Sequence, residues 1–163
     1  MTNLLNIAKD VLTTEANELL SAVNILDDSF IDAAKRIFSS SGKLVVIGVG
    51  KSGLVGTKIA ATMASTGTPS FFLHPTEAMH GDLGMIQSND VVMAISYSGE
   101  SDELLSILPH IKKRGISVIG MSGFGESSLA QISDIHISIF IAKEACPLNV
   151  APTSSTTLTM AIA

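Results

Sequence analysis

Five short apolar runs, at residues 44–47, 71–73, 91–95, 118–121 and 135–141, recur along this chain with helical segments between them at 54–64, near Glu77, at 102–113 and at 127–132. Runs of this length without polar alternation read as strands buried on both faces. Strands that alternate with helices imply a parallel sheet with right-handed crossovers. The expected fold is therefore α/β, a three-layer doubly wound sandwich around a five-stranded parallel sheet. Ahead of it, residues 3–24 place Leu4, Leu5, Ala8, Val11, Leu12, Leu19, Leu20 and Val23 on one stripe at helical spacing. Ser29 reads as the N-cap of a second helix running to about residue 40, with Gly42 as its stop. The 163 residues make one domain, with N-terminal helices over 1–40 and an α/β core over 41–163.

Charged residues are only 15% of the chain and the mean hydropathy is +0.44, too little polar side chain to cover a monomer, so a homo-oligomer is expected. A net charge of -5, with no basic cluster larger than Lys112-Lys113-Arg114, argues against a nucleic-acid surface. No apolar run of about 18 residues is present to span a bilayer, and the N-terminus lacks a signal peptide's charged start and cleavage site. The expected location is the cytoplasm. One cysteine, Cys146, excludes an internal disulfide and a Cys-rich metal site. It reads as a buried structural thiol rather than a nucleophile.

The first strand feeds the turn Gly48-Val49-Gly50-Lys51-Ser52-Gly53. A buried strand, a glycine turn and a helix start together aim backbone N–H groups and the positive end of a helix dipole at an anion. A Walker A loop would need glycine at position 45, which is Val45. The spacing matches G-x-G-x-x-G, but a dinucleotide site wants an acid ending the second strand, and here that strand ends in His74-Pro75. The remaining readings are a phosphate site or a turn needed only for tight packing.

In a doubly wound sheet, ligands bind at the carboxyl ends of the strands. The loop after the third strand, Ser96-Tyr97-Ser98-Gly99-Glu100-Ser101, carries more hydroxyls than an N-cap needs, although Ser98 alone reads as one. A phosphate monoester calls for hydroxyls and N-terminal amides of this kind. The loop after the second strand holds His74, Glu77, His80 and Asp82, a non-standard set in which His74 and His80 are candidate metal ligands. After the fifth come Lys143-Glu144-Ala145-Cys146-Pro147 and a hydroxyl cluster at 153–157, which also reads as an ordinary helix start.

Taken together, Gly-Val-Gly-Lys-Ser-Gly from residue 48, His-Pro-Thr-Glu-Ala-Met-His-Gly-Asp-Leu-Gly from 74, Ser-Tyr-Ser-Gly-Glu-Ser from 96 and Ala-Lys-Glu-Ala-Cys-Pro-Leu-Asn-Val-Ala-Pro-Thr-Ser-Ser-Thr-Thr from 142 resemble the sugar isomerase (SIS) domain family. Within it they are most similar to the D-arabinose-5-phosphate isomerases. That resemblance implies interconversion of D-ribulose 5-phosphate and D-arabinose 5-phosphate, supplying the sugar Kdo for lipopolysaccharide or capsule. It places Ser52, Ser96, Ser98 and Ser101, with the backbone at Gly50, on the phosphate, and Lys51, His80, Glu103 and Glu144 at the active site. It further implies a homotetramer in which His80 completes a neighbour's site, and a CMP-Kdo feedback ligand. The ending Met160-Ala161-Ile162-Ala163 carries no C-cap signal and reads as truncated, ahead of a further site histidine and tandem CBS domains.

The chemistry also follows from the residue types. Moving a carbonyl between C1 and C2 needs a base for a weakly acidic proton and a cation beside the forming enediolate. No cofactor or metal is required. Glu144 is the first candidate base and Glu103 the second, the latter also suiting a helix's first turn. Lys51 either stabilises the enediolate or binds the phosphate. Arabinose 5-phosphate closes a furanose, so His80 suits proton transfer in ring opening, a task to which histidine as a residue type is fitted. The alternatives are a non-catalytic sugar-phosphate sensor and another SIS isomerase, such as phosphoheptose isomerase.

Overall fold

A computed structural model describes residues 2–163. The apolar runs form β1 (Leu44–Gly48), β2 (Ser70–Leu73), β3 (Val91–Ile95), β4 (Ser117–Ser122) and β5 (Ile135–Ser138). All pair in parallel in the order β2-β1-β3-β4-β5, with Val45 opposite both Phe71 and Val92, Val92 opposite Val118, and Ile119 opposite Ile135. The central strands β1 and β3 are buried at every residue, as their non-alternating sequences require.

The helices are α1 (Thr2–Ala22), α2 (Asp28–Phe38), α3 (Gly50–Ser65), α4 (Pro75–Met79), α5 (Asp102–Lys113), α6 (Ser128–Ile132) and α7 (Ser154–Ile162), with a 3-10 turn at Asp82–Met85. Successive strand side chains point to opposite faces. On one face Val46, Met93, Ile95 and Met121 meet Ala33 of α2, Ile59 and Ala60 of α3 and Leu158 of α7. On the other, Val45, Ile47, Val92 and Val118 meet Ala78 of α4, Leu104 and Leu108 of α5 and Leu129 of α6. The result is the expected doubly wound sandwich. Because α3 and α5 lie on opposite faces, the carboxyl ends of β1 and β3 open side by side, at the switch point where such folds take ligands.

Several boundaries differ from expectation for local reasons. Helix α2 is capped by Asp27, whose carboxylate accepts from the Ser29 N–H at 2.9 Å, so the cap lies two residues before Ser29. Helix α3 starts at Gly50, four residues ahead of position 54. Strand β5 stops at Ser138 because its partner β4 ends opposite it, at Ser122. Ile139 and Ile141 nevertheless stay buried in the first core, which is why the apolar pattern outlasts the strand.

The glycine turn serves packing as well as its backbone. A Cβ at Gly53 would stand 2.9 Å from the Gly48 carbonyl oxygen and 3.3 Å from the Phe72 ring, so α3 rests on β1 and β2 more closely than a side chain at Gly53 permits.

Candidate functional site

A cavity of about 320 Å³ opens where three chain segments meet at the carboxyl edge of the sheet. The start of α3 supplies Val49, Lys51, Ser52 and Val55, the loop after β3 supplies Ser96, Tyr97, Ser98 and Ser101, and the start of α7 supplies Pro152, Ser155, Thr156 and Thr159.

Each wall follows from local chain chemistry. Val49 leaves β1 in extended conformation and Gly50, at φ +58°, begins α3 with no side-chain cap. The first intrahelical bond runs from the Gly53 N–H to the Val49 carbonyl at 3.2 Å, which leaves the earlier first-turn amides for an anion. In the second wall Gly99, at φ +72°, folds the loop so that its N–H donates to the Ser96 hydroxyl at 3.2 Å. The Ser96 and Ser101 hydroxyls lie 2.9 Å apart, with Ser98 at 3.5 Å from Ser96. Ser101 holds the N-cap position of α5 without a side-chain cap bond, and Ser98 accepts instead from the Glu100 N–H at 3.2 Å. None of the three serines therefore caps α5, which answers the plain N-cap reading of Ser98. Two uncapped helix starts, their hydroxyls and the exposed Lys51 border one space, the arrangement a phosphate dianion requires.

The third wall is different because α7 is already capped. Glu144, half-buried on the loop after β5, accepts from the Thr153 N–H at 2.7 Å, the Thr153 hydroxyl at 2.8 Å and the Ser155 N–H at 3.3 Å, while the Ser155 hydroxyl donates to its other oxygen. Burial alone would push this carboxyl up, but the Ser155 and Thr153 bonds outweigh it and hold it below the usual carboxylate range. A group lowered in this way contributes stability in full above its unfolded value, which is lost as pH falls through its folded value. Melting temperatures measured from neutral to acid pH should thus fall less steeply in a Thr153→Val, Ser155→Ala double variant, which has lost the two hydroxyl donors and keeps only the backbone ones. An unchanged acid slope would refute the assignment.

The structure thus gathers Lys51, Ser52, Ser96, Ser98 and Ser101 around one cavity, with Gly50 opening the turn beneath them. Glu144 stands one side chain behind the wall, through Ser155, and also lines a second cavity of about 580 Å³ between α1 and its own loop. Glu103, in the first turn of α5, and His80, which caps the end of α4, are exposed and lie outside the lining of the cavity. Pro152, Tyr97 and Thr159 are wall residues that sequence reasoning missed. Tyr97 was legible only as part of the serine loop, and Thr159 only as a helix face whose partner was unknown. Ser155 and Thr156 belong to the hydroxyl cluster that also read as an ordinary helix start.

Two expectations are corrected. The set of His74 and His80 with Glu77 or Asp82 is not assembled: among the described residues no three His, Cys, Asp or Glu side chains group for a metal. His74 instead caps α4, its Nδ1 accepting from the Thr76 N–H at 3.2 Å. Cys146 is only partly buried, and the N–H groups of Val150, Ala151 and Leu148 hold its thiol below the ordinary range. The tight turn that presents those amides, with Asn149 at φ 52°, is not visible in the apolar context used to read it as inert. Among the described residues no helix is long and apolar enough to cross a membrane.

Residues 37–163 match the family described as the SIS domain. The arabinose 5-phosphate isomerase KdsD of Shigella flexneri is 51% identical over 152 residues, covering 93% of this chain and 46% of that protein. The KdsD of Pseudomonas aeruginosa is 48% identical over 155 residues, covering 95% of this chain and 48% of its own length. The chain spans about half the length of these curated relatives. Among solved structures, a protein of E. coli CFT073 in complex with arabinose 5-phosphate superposes with a TM-score of 0.94 at 43% identity, over 99% of this chain and 86% of that one.

Proposed function

Given that the chain belongs to the SIS domain family, we propose that it binds a pentose phosphate and interconverts D-ribulose 5-phosphate and D-arabinose 5-phosphate through an enediolate. The observation that carries this reading is the cavity at the switch point, where two uncapped helix starts, Ser52, Ser96, Ser98, Ser101 and Lys51 converge with a carboxylate one side chain behind. The names of the relatives select the substrate from among sugar phosphates.

The phosphate is held by the four serine hydroxyls and the first-turn amides of α3 and α5, which fixes the sugar chain at one end. Lys51 lies in the same wall as Ser52 and stabilises the negative charge that develops on the enediolate oxygens. Glu144, ionised at neutral pH, takes the proton from one carbon and returns it to its neighbour. Glu103 is the second candidate for that role. His80 transfers the proton that opens the arabinose furanose, acting from a neighbouring subunit of a homotetramer. Exposed apolar side chains on α1 and α2, among them Leu5, Leu12, Leu20 and Phe38, support that assembly. No cofactor enters these steps. The product supplies Kdo synthesis in the cytoplasm, for lipopolysaccharide or capsule, with CMP-Kdo as a feedback ligand.

Incubation of the purified protein with ribulose 5-phosphate in D2O tests the reading, since the base exchanges its proton with solvent between the two carbons. Arabinose 5-phosphate carrying deuterium at C2 is the expected product by NMR. Thermal stabilisation by the sugar phosphate with neither product nor exchange would establish a sensor instead. A faster reaction with a seven-carbon substrate would mark another SIS isomerase.

A further inference from the structure

Ser155 belongs to two constellations at once. Its side chain lines the phosphate cavity with Lys51, Ser52, Ser96, Ser98 and Ser101, and its hydroxyl donates to one oxygen of Glu144. The other Glu144 oxygen is held independently, by the N–H and hydroxyl of Thr153 and by the Ser155 N–H. A serine hydroxyl has one proton to donate, and that proton cannot serve Glu144 and a phosphate oxygen together.

We propose that Ser155 is a positioning residue that couples phosphate capture to the state of Glu144. With the cavity empty its hydroxyl holds one carboxylate oxygen; with phosphate seated it turns to a phosphate oxygen and leaves that carboxylate oxygen unpartnered and facing the sugar. The backbone and Thr153 contacts to the other oxygen keep the carboxylate in place throughout. A carboxylate that loses a donor holds a proton more tightly, so the base gains strength when the phosphate arrives, and water meets a weaker base in the empty site. The coupling rests on the reading that this cavity takes a sugar phosphate and that Glu144 works on its carbon chain.

Other charged and titratable groups face Glu144. Asp10 and Tyr97 line its outer cavity with Lys143 and Cys146. From α1, Glu18 accepts the Ala142 N–H at 2.9 Å and Glu15 accepts from the Thr157 hydroxyl at 3.1 Å, and Lys51 faces the same region from the phosphate side. Direct repulsion between Glu144 and a bound phosphate, which is a monoanion at the acid pH where this carboxyl titrates, acts in the same direction as the hydroxyl switch, so the test must separate the two.

The Glu144 carboxyl is followed by carbon-13 NMR in protein labelled at glutamate, its signal identified as the one missing in Glu144→Gln, and titrated with pH in the absence and presence of saturating inorganic phosphate. In the wild-type protein phosphate moves the midpoint up. In Ser155→Ala the midpoint without phosphate is already higher by about one pH unit, and phosphate adds only the smaller rise due to charge. Ser155→Gly takes its place if the alanine variant does not fold. An equal phosphate-induced rise in wild type and variant overturns the coupling, as does a wild-type midpoint that does not move although phosphate binds by phosphorus NMR. Absence of phosphate binding overturns the phosphate-site reading as well, so the two failures are distinguishable without any measurement of turnover.

Discussion

On the proposed function, Glu144→Gln should lower kcat for pentose-phosphate isomerisation by about 1,000-fold, within the range expected when a general base is removed, and should leave KM within a few-fold of wild type. In the proposed site most phosphate contacts come from the β1–α3 and β3–α5 segments, which do not touch Glu144; only Ser155 is shared. The substitution keeps the shape of the side chain but replaces one acceptor oxygen by a donor NH2 group. Three donors converge on one oxygen and the Ser155 hydroxyl on the other, so the Gln carbonyl can face the three and its NH2 can donate to the Ser155 oxygen, but every one of these bonds loses its charge assistance. The start of α7 should lose about 1–3 kcal/mol, read by urea denaturation separately from kcat. Glu103→Gln is the comparison. Its carboxylate is exposed in the first turn of α5, and its loss should lower kcat less than tenfold. If the two variants exchange these effects, Glu103 is the base and Glu144 only the cap of α7.

Gly99→Ala should weaken phosphate binding at the proposed site and destabilise the protein together, although the change adds one methyl group. Gly99 sits at φ +72°, where a side chain is strained, and its Cβ would fall on the hydroxyl and Cβ of Ser127. Ser127 has no room to yield: it is buried, its hydroxyl lies 3.0 Å from that of Ser122, and it accepts from the Ala130 N–H at 3.3 Å as the cap of α6. The Gly99 carbonyl in turn accepts from the Leu129 N–H at 3.0 Å. Backbone strain and overpacking together should cost about 3 kcal/mol in urea denaturation. Displacing the loop also separates the Gly99 N–H from the Ser96 hydroxyl, and with it the alignment of Ser96 and Ser101. Phosphate affinity measured by calorimetry should fall about 100-fold, as expected when several charge-assisted bonds are lost at once. A variant within about 0.5 kcal/mol of wild type, a margin usual for inconsequential substitutions, would show that Ser127 moves aside.

Much of this arrangement was legible from local pattern. The strand runs from Leu44, Phe71, Val91, Val118 and Ile135 became the five strands, because a strand buried on both faces must be apolar throughout and that demand is written in adjacent residues. The hydroxyl-rich loop at 96–101 and the turn at 48–53 marked their helix starts for the same reason, since turn and cap chemistry extend over only a few positions. Pattern reads Ser29 as the cap of α2, whereas the cap is Asp27, two residues earlier, because an aspartate and a serine both suit a cap and pattern alone does not fix the position.

The residue types and their local order thus determined the doubly wound sheet, its strands and the two loops most suited to an anion. Only the tertiary structure decided that α7 returns to close the cavity with Ser155, Thr156 and Thr159. It also turned Glu144 onto the backbone nine and eleven residues later, left Glu103 and His80 on the surface, and kept His74 and His80 from forming a metal set. Burial and capping act over neighbouring residues and so leave a periodic trace. Which loops meet depends on strand order and on the face each crossover takes, and these are settled by packing the whole chain at once.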